Sequence, residues 1–307
     1  MSCVPSPRPL RRRRALMCGI SGIFDTVAAL EPQELAQRVA AMTDALRHRG
    51  PGDAGFWTDP GVGIALGHRR LSIVDLSPTG HQPMLSEDGH YVMAFNGEVY
   101  NFRSLRADLE PRGHRFRGSS DTEVMLAAIS EWGLEKALGR FVGMFAFALW
   151  DRQQRTLSLV RDRIGIKPLY FGWSGTTLLF GSELKALRRD PDFHAEVDLD
   201  SLALFFRHGY VPSPRAIYRD VCKLLPGTFV VLSAGDRTSP GWAEALLTER
   251  RLRDASLKPA PILERWAEHL SGRRNWQFLL WDVLVFQAWR ARWAEAPPAR
   301  VDRALRG

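Results

Sequence analysis

Cys18 is the first residue whose type and position could do chemistry, because it directly follows Met17. Removal of the methionine would leave one residue with both a thiol and a free α-amine. With an unperturbed pKa of about 8.5 for the thiol and about 7.7 to 8 for the amine, the amine can activate the thiol as a nucleophile near neutral pH. A buried structural cysteine on a strand is the alternative, and this dipeptide alone favours it.

Two later positions could bind a substrate. Arg70 opens the run Arg-Leu-Ser-Ile-Val-Asp, and a guanidinium can hold a carboxylate through two parallel hydrogen bonds. Asn96 and Gly97 could offer a side-chain amide and a backbone N–H to a developing oxyanion. The alternatives are a solvated surface charge at Arg70 and a hairpin turn at Asn-Gly.

Asp121 lies in the run Ser120-Asp-Thr-Glu123, a pattern that predicts a capping box at the start of a helix. A carboxylate at that place is favourable whatever the function, because the helix dipole stabilises it. The histidines at positions 48, 68 and 81 lack metal-ligand spacing and are interpreted as structural. No metal site is predicted, and the sequence has neither a GxxxxGK[ST] loop nor a GxGxxG motif after a strand.

Short strands and a few helices are expected to position these residues. The apolar patterns predict strands at 18–24, 62–66, 91–95, 144–150, 157–160, 178–180 and 228–232, and helices at 33–47, 101–110, 121–138 and 199–207. Runs of strands between few helices favour an α+β fold over a parallel βαβ fold.

Composition and charge exclude several classes of protein. The 307 residues are 45% hydrophobic and 25% charged, as in a soluble globular protein, and no apolar run approaches the roughly 18 residues of a membrane span. Three cysteines are too few for a disulfide framework, so a cytoplasmic location is expected.

The net charge of +8 divides into +5 for 1–16, −1 for 17–241 and +4 for 242–307. Since the central body is neutral, neither nucleic acid nor a membrane is expected as a partner.

The order of several segments resembles class II glutamine amidotransferases. They are Met-Cys-Gly-Ile-Ser-Gly-Ile-Phe-Asp (17–25), His-Arg-Gly-Pro (48–51), His-Arg-Arg-Leu-Ser-Ile-Val-Asp (68–75), Asn-Gly-Glu (96–98), Ser-Asp-Thr-Glu (120–123) and Gly-Met-Phe-Ala-Phe (143–147). Further segments are similar to the glutamine-hydrolysing asparagine synthetases: Arg-Asp-Arg-Ile-Gly-Ile-Lys-Pro-Leu-Tyr (161–170), Ser-Glu-Leu-Lys-Ala-Leu (182–187), 208–212 and 223–227. The resemblance covers about 17–233, the segment interpreted as a glutaminase domain.

The resemblance implies an αββα sandwich of two antiparallel sheets, the fold of N-terminal-nucleophile hydrolases. It also implies hydrolysis of glutamine to glutamate and ammonia through a thioester on Cys18, a step that needs no cofactor. Asn96 and Gly97 would form the oxyanion hole, and Arg70 would hold the substrate carboxylate. The other implied positions are Glu98 and Asp121, which would hold the amino group, and the pocket-lining residues Leu71, Ile73 and Val74.

Two features depart from the family's pattern. The nucleophile should be N-terminal, so the basic extension 1–16 is expected to be disordered or absent from the mature protein. The family's synthetase half binds ATP and Mg through a Ser-Gly-Gly-x-Asp-Ser loop, and this sequence has no such loop. After a junction at 234–241, residues 242–307 resemble only the C-terminal end of that half and are predicted to be helical, with an apolar segment from Trp276 to Trp289.

Two interpretations follow. The chain is expected to feed ammonia to asparagine synthesis from aspartate, with a separate synthetase subunit or a homo-oligomer as its protein partner. The alternative is a catalytically silent remnant of an asparagine synthetase that folds but lacks its synthetase half.

Overall fold

The computed structural model describes residues 17–71, 80–234 and 247–271, and beyond them 273, 274, 276, 279, 280 and 283. The chain divides into two compact units between Ala234 and Gly235. The predictions for residues 1–16, for most of the junction and for most of the segment 276–289 lie outside the described residues. Among the described helices, none has the length and apolar character needed to cross a membrane.

The first unit contains two antiparallel sheets with helices outside them. The strands are β1 (Gly19–Asp25), β2 (Asp53–Asp59), β3 (Ile64–Arg70), β4 (Met84–Leu85), β5 (Tyr91–Val99), β6 (Gly143–Asp151), β7 (Thr156–Arg161), β8 (Tyr170–Ser174), β9 (Thr177–Gly181), β10 (Val221–Lys223) and β11 (Phe229–Ser233). The helices are α1 (Pro32–Asp44), α2 (Phe102–Leu109), α3 (Asp121–Trp132), α4 (Leu134–Arg140), α5 (Leu184–Leu187) and α6 (Leu199–His208). One sheet has the order β10-β8-β9-β1-β3-β2, and the other has the order β11-β7-β6-β5-β4.

Side-chain alternation along the strands produces three layers of core. One face of each sheet contributes to the layer between the sheets, where Phe24 of β1 meets Trp150 of β6 edge to face with their ring centroids 5.4 Å apart. The opposite face of the first sheet packs on α1 and α5. The opposite face of the second sheet packs on α2, α3 and α4. This arrangement confirms the predicted α+β class and the αββα sandwich.

The predicted elements differ from the structure in three respects, the first being the short helix α5, which was not predicted. The helix expected over 121–138 is wrong as one element, because Gly133 with φ = 77° separates α3 from α4. The strands β2, β4, β8 and β10 were not predicted. Three of these lie at sheet edges, where half-buried residues do not give the apolar alternation that identifies a strand.

The second unit is helical where it is described. It contains α7 (Glu249–Asp254) and α8 (Pro259–Leu270). Thr248 caps α7 by accepting a hydrogen bond from the Arg251 N–H at 3.4 Å. A small core forms around Leu247, Leu252, Ile262 and Leu280.

His68 of β3 joins the two sheets of the first unit. Its Nε2 lies 2.9 Å from the Phe95 carbonyl oxygen in β5. Since a carbonyl only accepts, the neutral ring carries its proton on Nε2. The ring is completely buried, and burial lowers the pKa of His68 to about 4.

We expect the free energy of unfolding to fall as the pH is lowered from about 6.5 to about 4. Over this range the histidine binds a proton in the unfolded chain but not in the folded one, so protons favour unfolding. The gap between the ordinary pKa of 6.5 and about 4 corresponds to ~3 kcal/mol. Urea unfolding at several pH values, compared between the wild type and His68→Gln, measures this contribution. The same pH dependence in both proteins would contradict the assignment.

Candidate active site

The site lies where three rows of inter-sheet residues end. Along β1, Ile20 and Phe24 face the second sheet, and Cys18 continues that row by one more step of two residues. Along β3, Ile64 and Leu66 lead to His68 and then to Arg70 at the strand end. Along β5, Val92 and Ala94 lead to Asn96 and Glu98.

These row ends meet at one cavity. Predicted residues that line it are Cys18, Arg70, Leu71, Asn96, Gly97, Glu98 and Asp121. The predicted pocket residues Ile73 and Val74 lie outside the described residues. A larger groove between β4 and α3 contains none of the predicted site residues.

The Cys18 thiol is held against the chain that follows β3. The Leu71 N–H donates to Sγ at 3.3 Å, and Sγ lies 3.5 Å from the Leu71 carbonyl oxygen. Burial raises the pKa of this thiol above its ordinary value. The Leu71 N–H and the charges of Arg70 and Lys167 act in the opposite direction, and Asp121 adds to the rise. Formation of the thiolate is therefore favoured by the positive charges of Arg70 and Lys167, which oppose the effect of burial.

Arg49 anchors the backbone of the cysteine. Its Nε donates to the Cys18 carbonyl oxygen at 2.9 Å, and its own carbonyl oxygen accepts the Met17 N–H at 3.2 Å. The guanidinium is buried, and Nη1 reaches Glu183 at 2.9 Å. In the sequence, Arg49 is recognisable only as part of the motif His-Arg-Gly-Pro, without a predicted role.

Asn96 is completely buried, yet neither its amide oxygen nor its amide nitrogen has a hydrogen-bond partner. Such groups are rare in native structures because each costs about 1–3 kcal/mol. Gly97 follows it opposite Phe145 of β6, where a Cβ would lie 2.2 Å from the Met144 carbonyl oxygen. The pair thus lies inside β5, and the hairpin-turn alternative for Asn-Gly is wrong.

Asp121 begins α3 and is buried. Its Oδ2 accepts the Val99 N–H at 3.0 Å, and burial raises the pKa of this carboxyl group. Ser120 caps the helix by accepting the Thr122 N–H. Ser120 is therefore an N-cap, but the predicted reciprocal capping box is wrong, because Ser120 does not accept the Glu123 N–H and the Glu123 carboxylate accepts the N–H groups of 117 and 118 instead of reaching back to Ser120.

Arg70 is 9% exposed, so the alternative of a solvated surface charge is wrong. Its guanidinium is close enough to the thiol and to Asp53 to lower the pKa of Asp53 and to act against the raised pKa of Cys18. A buried arginine at the wall of a cavity is suited to binding a carboxylate.

Lys167 is a further cavity residue that the sequence analysis did not assign. Its chain is only 5% exposed, and Nζ donates to the thioether sulfur of Met17 at 3.2 Å. Burial lowers the pKa of its ammonium group, while Glu98 and Cys18 counter this effect. The loop that presents it is built around Asp162, whose carboxylate accepts the N–H groups of 145, 164, 166 and 167.

The predicted structural histidines have non-metal partners: His48 pairs with Glu183, and His81 pairs with Asp53. Within the described parts of the chain, no group of three histidine, cysteine or acidic residues could hold a metal ion.

Comparisons with known proteins identify the family of the domain that carries this cavity. The family model of the glutamine amidotransferase domain matches residues 17–243. Asparagine synthetase [glutamine-hydrolyzing] 3 of Bacillus subtilis is 38% identical over 220 residues, which are 71% of this chain and 35% of that protein. Putative asparagine synthetase [glutamine-hydrolyzing] 2 of Methanocaldococcus jannaschii is 33% identical over 226 residues, covering 68% of this chain and 42% of that protein.

Among solved structures, the fold is similar to that of an allosteric regulatory enzyme of purine biosynthesis. The TM-score is 0.51 at 22% identity, over 70% of this chain and 47% of the other. The chain spans well under half the length of the asparagine synthetases that it matches. On the match over residues 17–243, it belongs to the class II glutamine amidotransferase domain family and is related within it to the asparagine synthetases.

Proposed function

We propose that this protein hydrolyses the side-chain amide of glutamine, with Cys18 as the nucleophile. The observation that supports this most directly is the buried Asn96 amide, which lacks a partner and lines the same cavity as the Cys18 thiol. A carbonyl oxygen that becomes an oxyanion between them would supply the missing acceptor for Nδ2.

The reaction proceeds through an acyl-enzyme. Once Met17 is removed, the α-amine of Cys18 takes the thiol proton, and the sulfur forms a bond to the amide carbon. The tetrahedral intermediate carries its negative charge on oxygen, next to the Asn96 amide and the Gly97 backbone. The C–N bond then breaks, the amine returns its proton to the leaving nitrogen, and ammonia departs. Water cleaves the thioester, which yields glutamate and restores the thiol.

Charged residues at the cavity wall orient the substrate. Arg70 pairs with the α-carboxylate, while Glu98 and Asp121 receive the α-ammonium group. Leu71 lines the cavity, and the resemblance to the family assigns Ile73 and Val74 to the aliphatic part of the same pocket. This step requires no metal ion or cofactor.

The ammonia serves the synthesis of asparagine, by analogy with the names of the relatives that the chain resembles. This requires a separate synthetase subunit that uses ATP and Mg to activate aspartate, and a homo-oligomer is the other assembly that we consider. The proposal places the protein in the cytoplasm, without a nucleic acid or membrane partner.

The test is glutamate release from glutamine by protein expressed from Met17, with its Cys18→Ala variant and the full chain measured in parallel. We expect turnover from the protein whose N-terminus is Cys18, and none from Cys18→Ala. A folded protein with a verified N-terminal Cys18 that releases no glutamate would contradict the proposal and favour the silent remnant.

Asn96→Ala is expected to lower kcat by about 10²- to 10³-fold, because it removes an oxyanion donor. Its melting temperature should not fall, since the amide makes no hydrogen bond within the protein. Steady-state kinetics and thermal denaturation together measure this.

Asn101→Ala is the matched control, since the Asn101 amide bridges the Arg140 carbonyl and the Val142 N–H, each at 2.9 Å. Its loss should reduce stability by about 1 kcal/mol and leave kcat unchanged. Equal kcat values in the two variants would rule out the oxyanion role of Asn96.

Lys167→Met is expected to raise the pKa of the Cys18 thiol further, because a positive charge that opposes the effect of burial is lost. Alkylation by iodoacetamide should then be slower at neutral pH, with its pH profile displaced upward. Lys167→Arg retains the charge and should stay near the wild type. The assay uses a background in which Cys3 and Cys222 are alanine, and an unchanged profile in Lys167→Met would contradict the electrostatic role.

A further inference from the structure

The segment Ser182-Glu183, which follows β9, holds the start of the nucleophile strand at two places. The Ser182 N–H donates to the Ile20 carbonyl oxygen at 2.9 Å, and the Ser182 hydroxyl accepts the Ile20 N–H at 3.0 Å. Ser182 therefore continues the pairing between β9 and β1 by one residue beyond the strand. Glu183 adds a second connection, through Arg49.

Glu183 is connected to Cys18 by two hydrogen bonds in series. Its Oε1 accepts from Arg49 Nη1 at 2.9 Å, and Arg49 Nε donates to the Cys18 carbonyl oxygen at 2.9 Å. The two nitrogens belong to one rigid planar group, so the carboxylate fixes the orientation of the donor that holds the cysteine.

Arg49 has little else to fix it. Its side chain is 7% exposed, and Nη2 is buried without a hydrogen-bond partner. Glu183 is its ion-pair partner among the described residues. A buried cation that loses its carboxylate must recruit water or move, and either change would release the Cys18 carbonyl.

We propose that Glu183 is a positioning residue for the nucleophile and acts on Cys18 through Arg49. The inference rests on the proposed glutaminase function for its effect on turnover, although the anchoring itself does not depend on that function. It gives the motif Ser-Glu-Leu-Lys-Ala-Leu a positioning role, exerted by residues that are not among those lining the cavity.

Glu183 also contacts two residues that do not hold Cys18. A substitution at one of them distinguishes the loss of the connection to Cys18 from the loss of any ion pair of Glu183. Lys185 Nζ lies 3.1 Å from Oε2, and His48 Nε2 lies 3.0 Å from Oε1. Lys185 is 44% exposed, and its ammonium group contacts Glu183 and His48. Lys185→Ala is thus a matched control that removes one ion pair of the same carboxylate and leaves the connection to Cys18 intact.

Kinetics of Glu183→Ala provide the first test. We expect kcat to fall about 10- to 100-fold, the effect of a nucleophile displaced by a fraction of an ångström to about 1 Å, with KM within about twofold of the wild type. Glu183→Gln keeps an acceptor for Arg49 and should recover part of the loss. Lys185→Ala should behave as the wild type. Glu183→Ala as active as Lys185→Ala, or changed only in KM, would overturn the proposal.

A double-mutant cycle tests the route through Arg49. If Glu183 acts through that side chain, adding Glu183→Ala to Arg49→Ala should lower kcat no further. Fully multiplicative losses would overturn the route. If Glu183→Ala does not fold, the same cycle is measured with Glu183→Gln.

Hydrogen exchange in the full chain tests the anchoring without any glutaminase reaction. Amides at the start of β1, from Met17 to Gly19, should exchange faster in Glu183→Ala and Glu183→Gln than in Lys185→Ala, while those of β5 and β6 stay unchanged. Unchanged exchange at 17–19 would overturn the inference. If exchange at 17–19 is faster in the Glu183 variants but the wild type releases no glutamate, the anchoring stands and the proposed function fails.

Discussion

The packing of the two sheets against each other decides where the chemistry of this protein can occur. A strand that faces an apolar layer presents every second residue to it, and in β1, β3 and β5 these positions are apolar in the middle of the layer and become polar as the rows approach the cavity, from His68 in β3 and from Asn96 in β5. There the same parity places Cys18, Arg70 and Asn96 in one cavity. A shift of one residue in the pairing of any of these strands would send its functional side chain to the helix-covered face.

Burial of the site has two electrostatic effects: it raises the pKa of the Cys18 thiol, and it strengthens the interactions that oppose this rise. A thiol in this cavity has its pKa raised by loss of solvent, and the Leu71 N–H with the charges of Arg70 and Lys167 opposes that rise. The same low dielectric strengthens each of these interactions relative to water. The carboxyl group of Asp121 has the opposite effect to these two cations, since it raises the thiol pKa. An ammonium group bound there would neutralise it, so a substrate with an α-amine would itself favour the thiolate.

The sequence was sufficient to single out candidate residues that carry a local signal, and insufficient for residues that contact the site across the fold. Cys18 after Met17, the pair Asn96-Gly97 and the strand periodicity can all be recognised within a few residues. Arg49 contacts Cys18 across 31 positions, and Lys167 contacts Met17 across 150; no local pattern encodes such contacts. Gly133 separates α3 from α4, although an isolated glycine is tolerated in many helices.

The buried polar atoms that lack partners are concentrated near the nucleophile. Four described residues carry such atoms. Asn96 lines the cavity, and Arg49 holds the Cys18 carbonyl. His68 lies in the row of β3 that ends at Arg70, whereas Trp150 has no such connection to the site. A fold selected only for stability would place apolar side chains there, as it does in the adjoining inter-sheet layer, because each unsatisfied group costs about 1–3 kcal/mol. In the proposed reaction this cost is recovered at Asn96, which lines the cavity, because its Nδ2 donor is already fixed and desolvated when an oxyanion forms there. In the proposed reaction, the unpaired Nδ2 of Asn96 would thus be complementary to the transition state rather than to the protein around it.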